Sequence, residues 1–216
     1  MTENKPKLRI TAGVILLIFA ALSFLSGLFT RLTGNTSAAE WLNANTVLSL
    51  LNGAAMICVA ILILQKRFKA AGIVQWISAA FYAAIGCLAL FGLQPDLLKY
   101  YRETILLLAC GYLLFTAVDV VLGIGLFRQQ KHEKHFFLIG WILWLAAMAI
   151  LIFSIFWRIQ ITAVGAVIPI ALAAIVLFAL PVGVIPSLAW LFMARWNDAQ
   201  KIADEPAPCD EPICEP

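Results

Sequence analysis

Charge is what this chain has least of. Only 12% of its 216 residues are Asp, Glu, Lys or Arg, while 63% are hydrophobic; a soluble domain carries roughly twice that share of charge. A water-soluble fold of this length could not cover so much apolar surface, which leaves lipid as the solvent. The net charge of +3 sits in short connections between apolar runs rather than in a patch. It therefore reads as a topology signal, and no nucleic-acid partner is expected.

Other absences narrow the function. The chain has no phosphate-cradling glycine loop, no paired carboxylates within an apolar run, no GxSxG and no HExxH, which argues against a hydrolase. No enzymatic activity and no cofactor are expected. Its two histidines, His132 and His135, fall in "KHEKH", three apart where a zincin helix needs four, so no metal is expected there. Cysteines are five, an odd number. Cys58, Cys87 and Cys110 lie in apolar runs and read as small packing residues. Cys209 and Cys214 lack the paired CxxC units of a zinc site, and the reducing side to which they are assigned disfavours a disulfide.

Against that background, six charge-poor stretches are each long enough to cross the roughly 20-residue hydrocarbon core. They are Ile10–Thr30, Thr46–Gln65, Ala70–Leu93, Thr104–Phe127, Phe136–Trp157 and about Pro169–Phe192. The fold class expected is all-α, a polytopic bundle of six transmembrane helices. Placing the N-terminus in the cytoplasm puts eleven lysines and arginines inside and four outside (Arg31, Lys99, Arg102 and Arg158). That bias places both termini in the cytoplasm and the protein, multi-pass, in the cytoplasmic membrane. A cleaved signal peptide fits poorly, because the first apolar run is about twice the usual h-region. Trp157, Tyr100 and Tyr101 fall at outer boundaries and Trp196, Phe136 and Phe137 at inner ones, where amphipathic rings prefer to sit.

Residues 1–9 thus read as a basic cytoplasmic leader, 10–196 as the membrane domain and 197–216 as a disordered cytoplasmic tail. The tail holds six of the chain's twelve acidic residues and is rich in proline. Besides the lipid bilayer, a membrane-protein partner or a second copy of the chain is a candidate partner. The outgoing spans carry small residues seven apart: Gly13, Ala20 and Gly27; Gly72, Ala79 and Gly86; Gly140, Ala147 and Ser154. Such stripes let helices approach closely in lipid, and their recurrence suggests a threefold hairpin repeat. The sixth span is irregular. Pro169 suits a helix start, leaving 159–168 as an apolar loop or re-entrant stub, and Pro181, Gly183 and Pro186 predict a kink or break that would serve as a hinge.

One charged residue lies inside a span, Asp119 in "FTAVDVVLG". A central carboxylate costs about 2.5–3.5 kcal/mol on insertion scales, and such residues turn to the bundle interior or a wet cavity. Tyr112, Thr116, Asp119 and Gly123 are spaced to share one helix face. Counting inward from the basic residues, Gln75, Ser78 and Ser187 lie at similar depth and are candidate partners. No lysine, arginine or histidine within a span can neutralise the carboxylate, so burial favours its proton-bearing, donating form. Asp119, Thr116, Tyr112, Gln75, Ser78 and Ser187 are therefore the candidate substrate or ion site of a small transporter or of a membrane subunit of a transport system. The alternative is a structural or regulatory membrane protein in which the carboxyl fixes helix register, with a partner held elsewhere.

Overall fold

The computed structural model describes residues 5–33, 40–91, 95–129, 133–162 and 180–204. They form six helices: α1 Lys5–Thr33, α2 Glu40–Leu64, α3 Phe68–Phe91, α4 Pro95–Phe127, α5 His135–Thr162 and α6 Leu180–Asp204. No strand occurs among the described residues. Phe68–Leu88, Ile105–Phe127 and His135–Phe153 are long and apolar enough to cross a membrane, and Leu50–Leu64 is a shorter apolar stretch of the same kind.

The pattern of exposure explains why these segments are helices and what they face. On α1 the large residues Ile10, Val14, Ile18, Leu22 and Leu25 point outward, Leu22 and Leu25 more than half exposed (55% and 57%). Ala12, Leu16 and Ala20 on the opposite face are buried. Spacings of three and four make each set a single helical stripe. The outward face being the greasier one inverts the arrangement of a soluble protein. The same holds for Ile73 and Ile77 of α3, Leu113 and Val120 of α4, and Ile139 and Ile142 of α5, all exposed, whereas Asn52, Gln75, Ser78, Asp119 and Asn197 are buried. An exposed apolar surface over an interior that holds the polar side chains as well as apolar ones is the arrangement a lipid-facing surface would show.

Each helix packs on its neighbours in the chain, and α6 closes on α1, so the six form a ring. Short connections make the sequential neighbours from α1 to α5 antiparallel: Gly13 of α1 lies against Leu64 of α2, while Gly53 of α2 lies against Phe24 of α1. The closest approach is between α3 and α4. A Cβ on Gly72 would stand 2.7 Å from the Gly123 carbonyl oxygen, so the two backbones touch and only glycine fits. The small-residue stripes do serve close packing, but not as three equivalent hairpins. Gly13 faces α2 and Gly72 faces α4, whereas Gly140 faces Leu122, back on α4 rather than forward on α6.

Arg9, Lys66, Arg67, Lys69, Arg128 and Lys134 gather at one end. There α2 stops in a Schellman motif, Lys66 N–H donating to Ile63 O (3.1 Å) and Arg67 N–H to Leu62 O (2.8 Å), with Lys66 left-handed at φ 62° in the position that usually takes glycine. Arg9 of α1, buried, donates Nη1 to Ile63 O (2.8 Å) and Leu64 O (2.6 Å), meeting the last carbonyls and the negative end of the α2 dipole. On α6, Asn197 and Gln129 hold each other through both amide groups, and Lys134 Nζ bonds Asp198 Oδ1 at 2.7 Å.

Several expectations need correction. The helix α6 runs on to Asp204, into the stretch expected as a tail, and buried Asn197 supplies an anchoring partner that composition alone hides. Residues 205–216 lie outside the described residues, as do the proposed start at Pro169 and most of the stub over 159–168. The helix is unbroken from Leu180, with Pro181 in its first described turn and only Pro186 internal. Pro186 denies a hydrogen bond to Val182 O without ending the helix. Cys58, Cys87 and Cys110 are exposed on the outer faces rather than packed. Trp196 and Phe137 turn inward instead of lining a boundary, Trp196 against Phe68 (5.3 Å between centroids) and Phe137 against Trp190 (6.3 Å).

Candidate functional site

Asp119 is fully buried and faces its neighbours on α3. Gln75 and Ser78 are three apart on one face of that helix, one turn above the Gly72–Gly123 crossing, so the close approach brings both within reach of the carboxyl. Gln75 Nε2 donates to Asp119 Oδ1 at 2.7 Å, and Ser78 Oγ lies 2.6 Å from Oδ2. Ser78 Oγ also bonds Asn52 Oδ1 of α2, and Tyr82 lies one turn along α3 from Ser78. The chain Gln75, Asp119, Ser78, Asn52 thus ties three helices together. Gln75 Oε1 is buried with no partner among the described residues, a cost of about 1–3 kcal/mol, so the amide is committed to the carboxyl at the expense of its own oxygen.

Beside this chain lies a cavity of about 280 Å³, small for a ligand site. Every helix contributes to its wall: Leu16, Asn52, Tyr82, Tyr112, Trp144 and Pro186 come from α1 to α6 in turn. It occupies the half of the bundle away from the basic end, since Tyr112 precedes Asp119 by seven residues, about 10 Å along α4. Asp119 itself does not line it; Asn52 and Tyr82 do. The Tyr82 ring is fixed by stacking on Phe115 (5.2 Å) and Tyr112 (6.3 Å), and Trp144 meets Phe115 edge-on at 5.2 Å. The wall is a rigid aromatic cup whose polar patch leads back to a carboxyl.

The residues expected to act together are only partly brought together. Gln75 and Ser78 meet Asp119, and Tyr112 lines the cavity. Thr116 turns to its own helix and donates to Tyr112 O at 3.1 Å. Ser187 is engaged elsewhere, bonding Val184 O at 2.6 Å and accepting from Trp141 Nε1 at 3.2 Å. Pro186 lines the cavity, but Pro181 and Gly183 have no described side-chain environment. Asn52 and Tyr82 were not anticipated. Asn52 lies fourteen positions from Lys66, against nine from Lys69 for Ser78, so counting inward from basic residues placed them at different depths. That count assumes helices with flush ends, and α2 and α3 are offset. A buried amide in the apolar run "SLLNGAAM" was the available signal.

In the "KHEKH" segment, Glu133 pairs with Arg128 at 3.7 Å and Lys134 with Asp198. No group of three potential metal ligands occurs among the described residues. A second hollow, about 420 Å³, lies at the basic end between Lys66, Arg67, Lys69 and Gln129. Compared with known proteins, the chain matches no family model, no curated protein and no solved structure, so its function has to be argued from this geometry.

Proposed function

We propose that the chain is a multi-pass protein of the cytoplasmic membrane, its six helices all spanning and both termini cytoplasmic, that works as a small proton-linked transporter or as the membrane subunit of a transport system. The basic end, where Arg9, Lys66, Arg67, Lys69, Arg128 and Lys134 collect, is then the cytoplasmic end by the distribution of positive charge. The observation that carries the transport reading is a cavity bounded by all six helices whose polar wall connects through Ser78 to a buried carboxyl. A lone acid in a membrane interior is characteristically a proton or ion element, and a cavity on the bundle axis is where a substrate would sit. The Gln129–Asn197 and Lys134–Asp198 ties, with Arg9 over α2, then form the closed cytoplasmic gate, which must part for release.

A second reading draws on a different observation: Asp119 is fully enclosed and stands one residue back from the cavity, as a register clamp between α3 and α4 would. In that case the protein is structural or regulatory and meets a partner elsewhere, for instance through residues 205–216. Currents recorded from the purified protein on a solid-supported membrane, under an imposed pH gradient and against a panel of small solutes, separate the two. A transporter gives a gradient-dependent current for at least one solute, abolished when Met56→Trp fills the cavity and kept when 205–216 are deleted. Silence across the panel, with physiological role lost on that deletion, supports the second reading.

A further inference from the structure

The hollow of about 420 Å³ at the basic end takes no part in the site around Asp119, and its walls are of two kinds. One is the connection from α2 into α3, which brings Lys66, Arg67 and Lys69; the other is the end of α4, with Leu126, Phe127 and Gln129. All three cations are exposed, and among the described residues none of them pairs with a carboxylate. Other cations at this end are engaged: Arg9 on the last carbonyls of α2, Arg128 with Glu133 and Lys134 with Asp198. Three like charges around one hollow repel each other, and an anion seated between them relieves that repulsion. The first turn of α3, Phe68 to Ala70, also lines the hollow, so the positive end of that helix dipole adds to the same field.

From Phe127 the surface continues as an exposed apolar strip along the α3–α4 seam. Trp76 stacks on Phe127 (5.7 Å between centroids) and donates Nε1 to Val120 O at 3.3 Å; Ile73, Ile77 and Val120 flank it, all exposed. A cationic recess at the head of a greasy strip has the shape of an amphiphile's two halves. We propose that the hollow binds the phosphate headgroup of an anionic phospholipid of the cytoplasmic leaflet, with the acyl chains lying along the strip past Trp76. Arg67 meets phosphate oxygens with its fork of donors, while the lysines act as point charges. A soluble phosphate would fill the recess and leave the strip bare, and the acidic residues of 205–216 bring charge without an acyl chain. The proposal rests on the basic end lying at the cytoplasmic membrane surface and not on transport.

The test is native mass spectrometry of the full chain in a mild detergent, titrated with dioleoyl phosphatidylglycerol or, as the zwitterionic control, dioleoyl phosphatidylcholine. One phosphatidylglycerol is expected to bind in preference to phosphatidylcholine. Its affinity should fall about 25-fold in the Arg67→Gln, Lys69→Gln double variant, two cations at about fivefold each; both side chains are exposed, so the fold is kept. Lys7→Gln with Arg195→Gln, two exposed cations outside the hollow, should leave affinity unchanged. Ala70→Trp, which fills the recess and keeps every charge, should weaken binding at least about tenfold, the order of one lost cation or more. Deletion of 205–216 should have no effect, and glycerophosphoglycerol, the same headgroup without chains, should compete only at far higher concentration. No preference between the two lipids, or equal losses in the two double variants with Ala70→Trp binding as wild type, overturns the site in favour of diffuse surface charge. Competition by glycerophosphoglycerol at lipid-like concentration overturns it in favour of a soluble phosphate, and affinity that rises on deleting 205–216 overturns it in favour of the chain's own acidic segment. A protein silent in membrane recordings that binds phosphatidylglycerol in this pattern supports the proposal while the transport reading fails.

Discussion

Ser78 is the one atom-sized bridge between the acid and the cavity, and removing its oxygen is the most informative single change. Ser78→Ala deletes two hydrogen bonds while adding no bulk, leaving Asp119 Oδ2 and Asn52 Oδ1 buried and unpaired. Interhelical polar contacts in membranes average about 0.6 kcal/mol and reach about 1.7, whereas a buried group left unsatisfied costs about 1–3 kcal/mol. With two bonds meeting at one oxygen, a loss of about 1–3 kcal/mol is expected, or roughly a 5- to 150-fold fall in the folding equilibrium. Reversible unfolding by dodecyl sulfate in mixed micelles measures it. Combining Ser78→Ala with Asn52→Ala should cost less than the two singles together, because each already breaks the shared bond. A Ser78→Ala protein within about 0.3 kcal/mol of wild type, additive with Asn52→Ala, would refute the bridge.

Four further outcomes follow from the same geometry. Arg9→Met keeps the apolar stem but strips two charge-assisted bonds from the end of α2; it should lower stability by about 2–4 kcal/mol in the same assay. Lys66→Gly removes a left-handed strain of about 1–2 kcal/mol at a backbone-entropy cost of about 0.4–1 kcal/mol, so unfolding should show no loss and a gain of up to about 1.6 kcal/mol. Gly72→Leu forces α3 off the α4 backbone and should cost more than about 3 kcal/mol or prevent folding, whereas Ile73→Leu beside it, on the outward face, should change stability by less than about 0.5 kcal/mol. Asn197→Leu leaves the Gln129 amide unpaired at the basic end and should raise the reactivity of a cysteine placed at buried Leu126, beside it, toward a water-soluble maleimide.

The sequence carried the large features because they are set by solvent. Runs such as "FFLIGWILWLAAMAILIFSIFW" can lower their free energy only by forming their own hydrogen bonds in an apolar medium, which means helices. Asp119, Gln75 and Ser78 were legible for a related reason: a carboxyl there must find donors, and two polar groups three apart on the next helix are the nearest. The parts that were not legible depend on how the helices sit against each other. Thr116 shares a face with Asp119 but bonds its own backbone, a choice invisible to periodicity. Asn52 became visible only once α2 and α3 were known to be offset, and Ser187 matched in depth while belonging to another interface. The charge-rich end of α6 read as a tail because composition cannot show that Asn197 pairs with Gln129.

The most direct test is the behaviour of Asp119→Asn beside Asp119→Leu in the solid-supported membrane recording. Asparagine can keep both contacts, donating to Ser78 and accepting from Gln75, but it has no proton to exchange. A proton-linked site predicts an Asn variant that folds with near wild-type stability and gives no pH-driven current, and a Leu variant that is destabilised as well as silent. If the Asn variant carries current as wild type does, the carboxyl only holds α3 to α4, and the account of a proton-linked cavity is wrong.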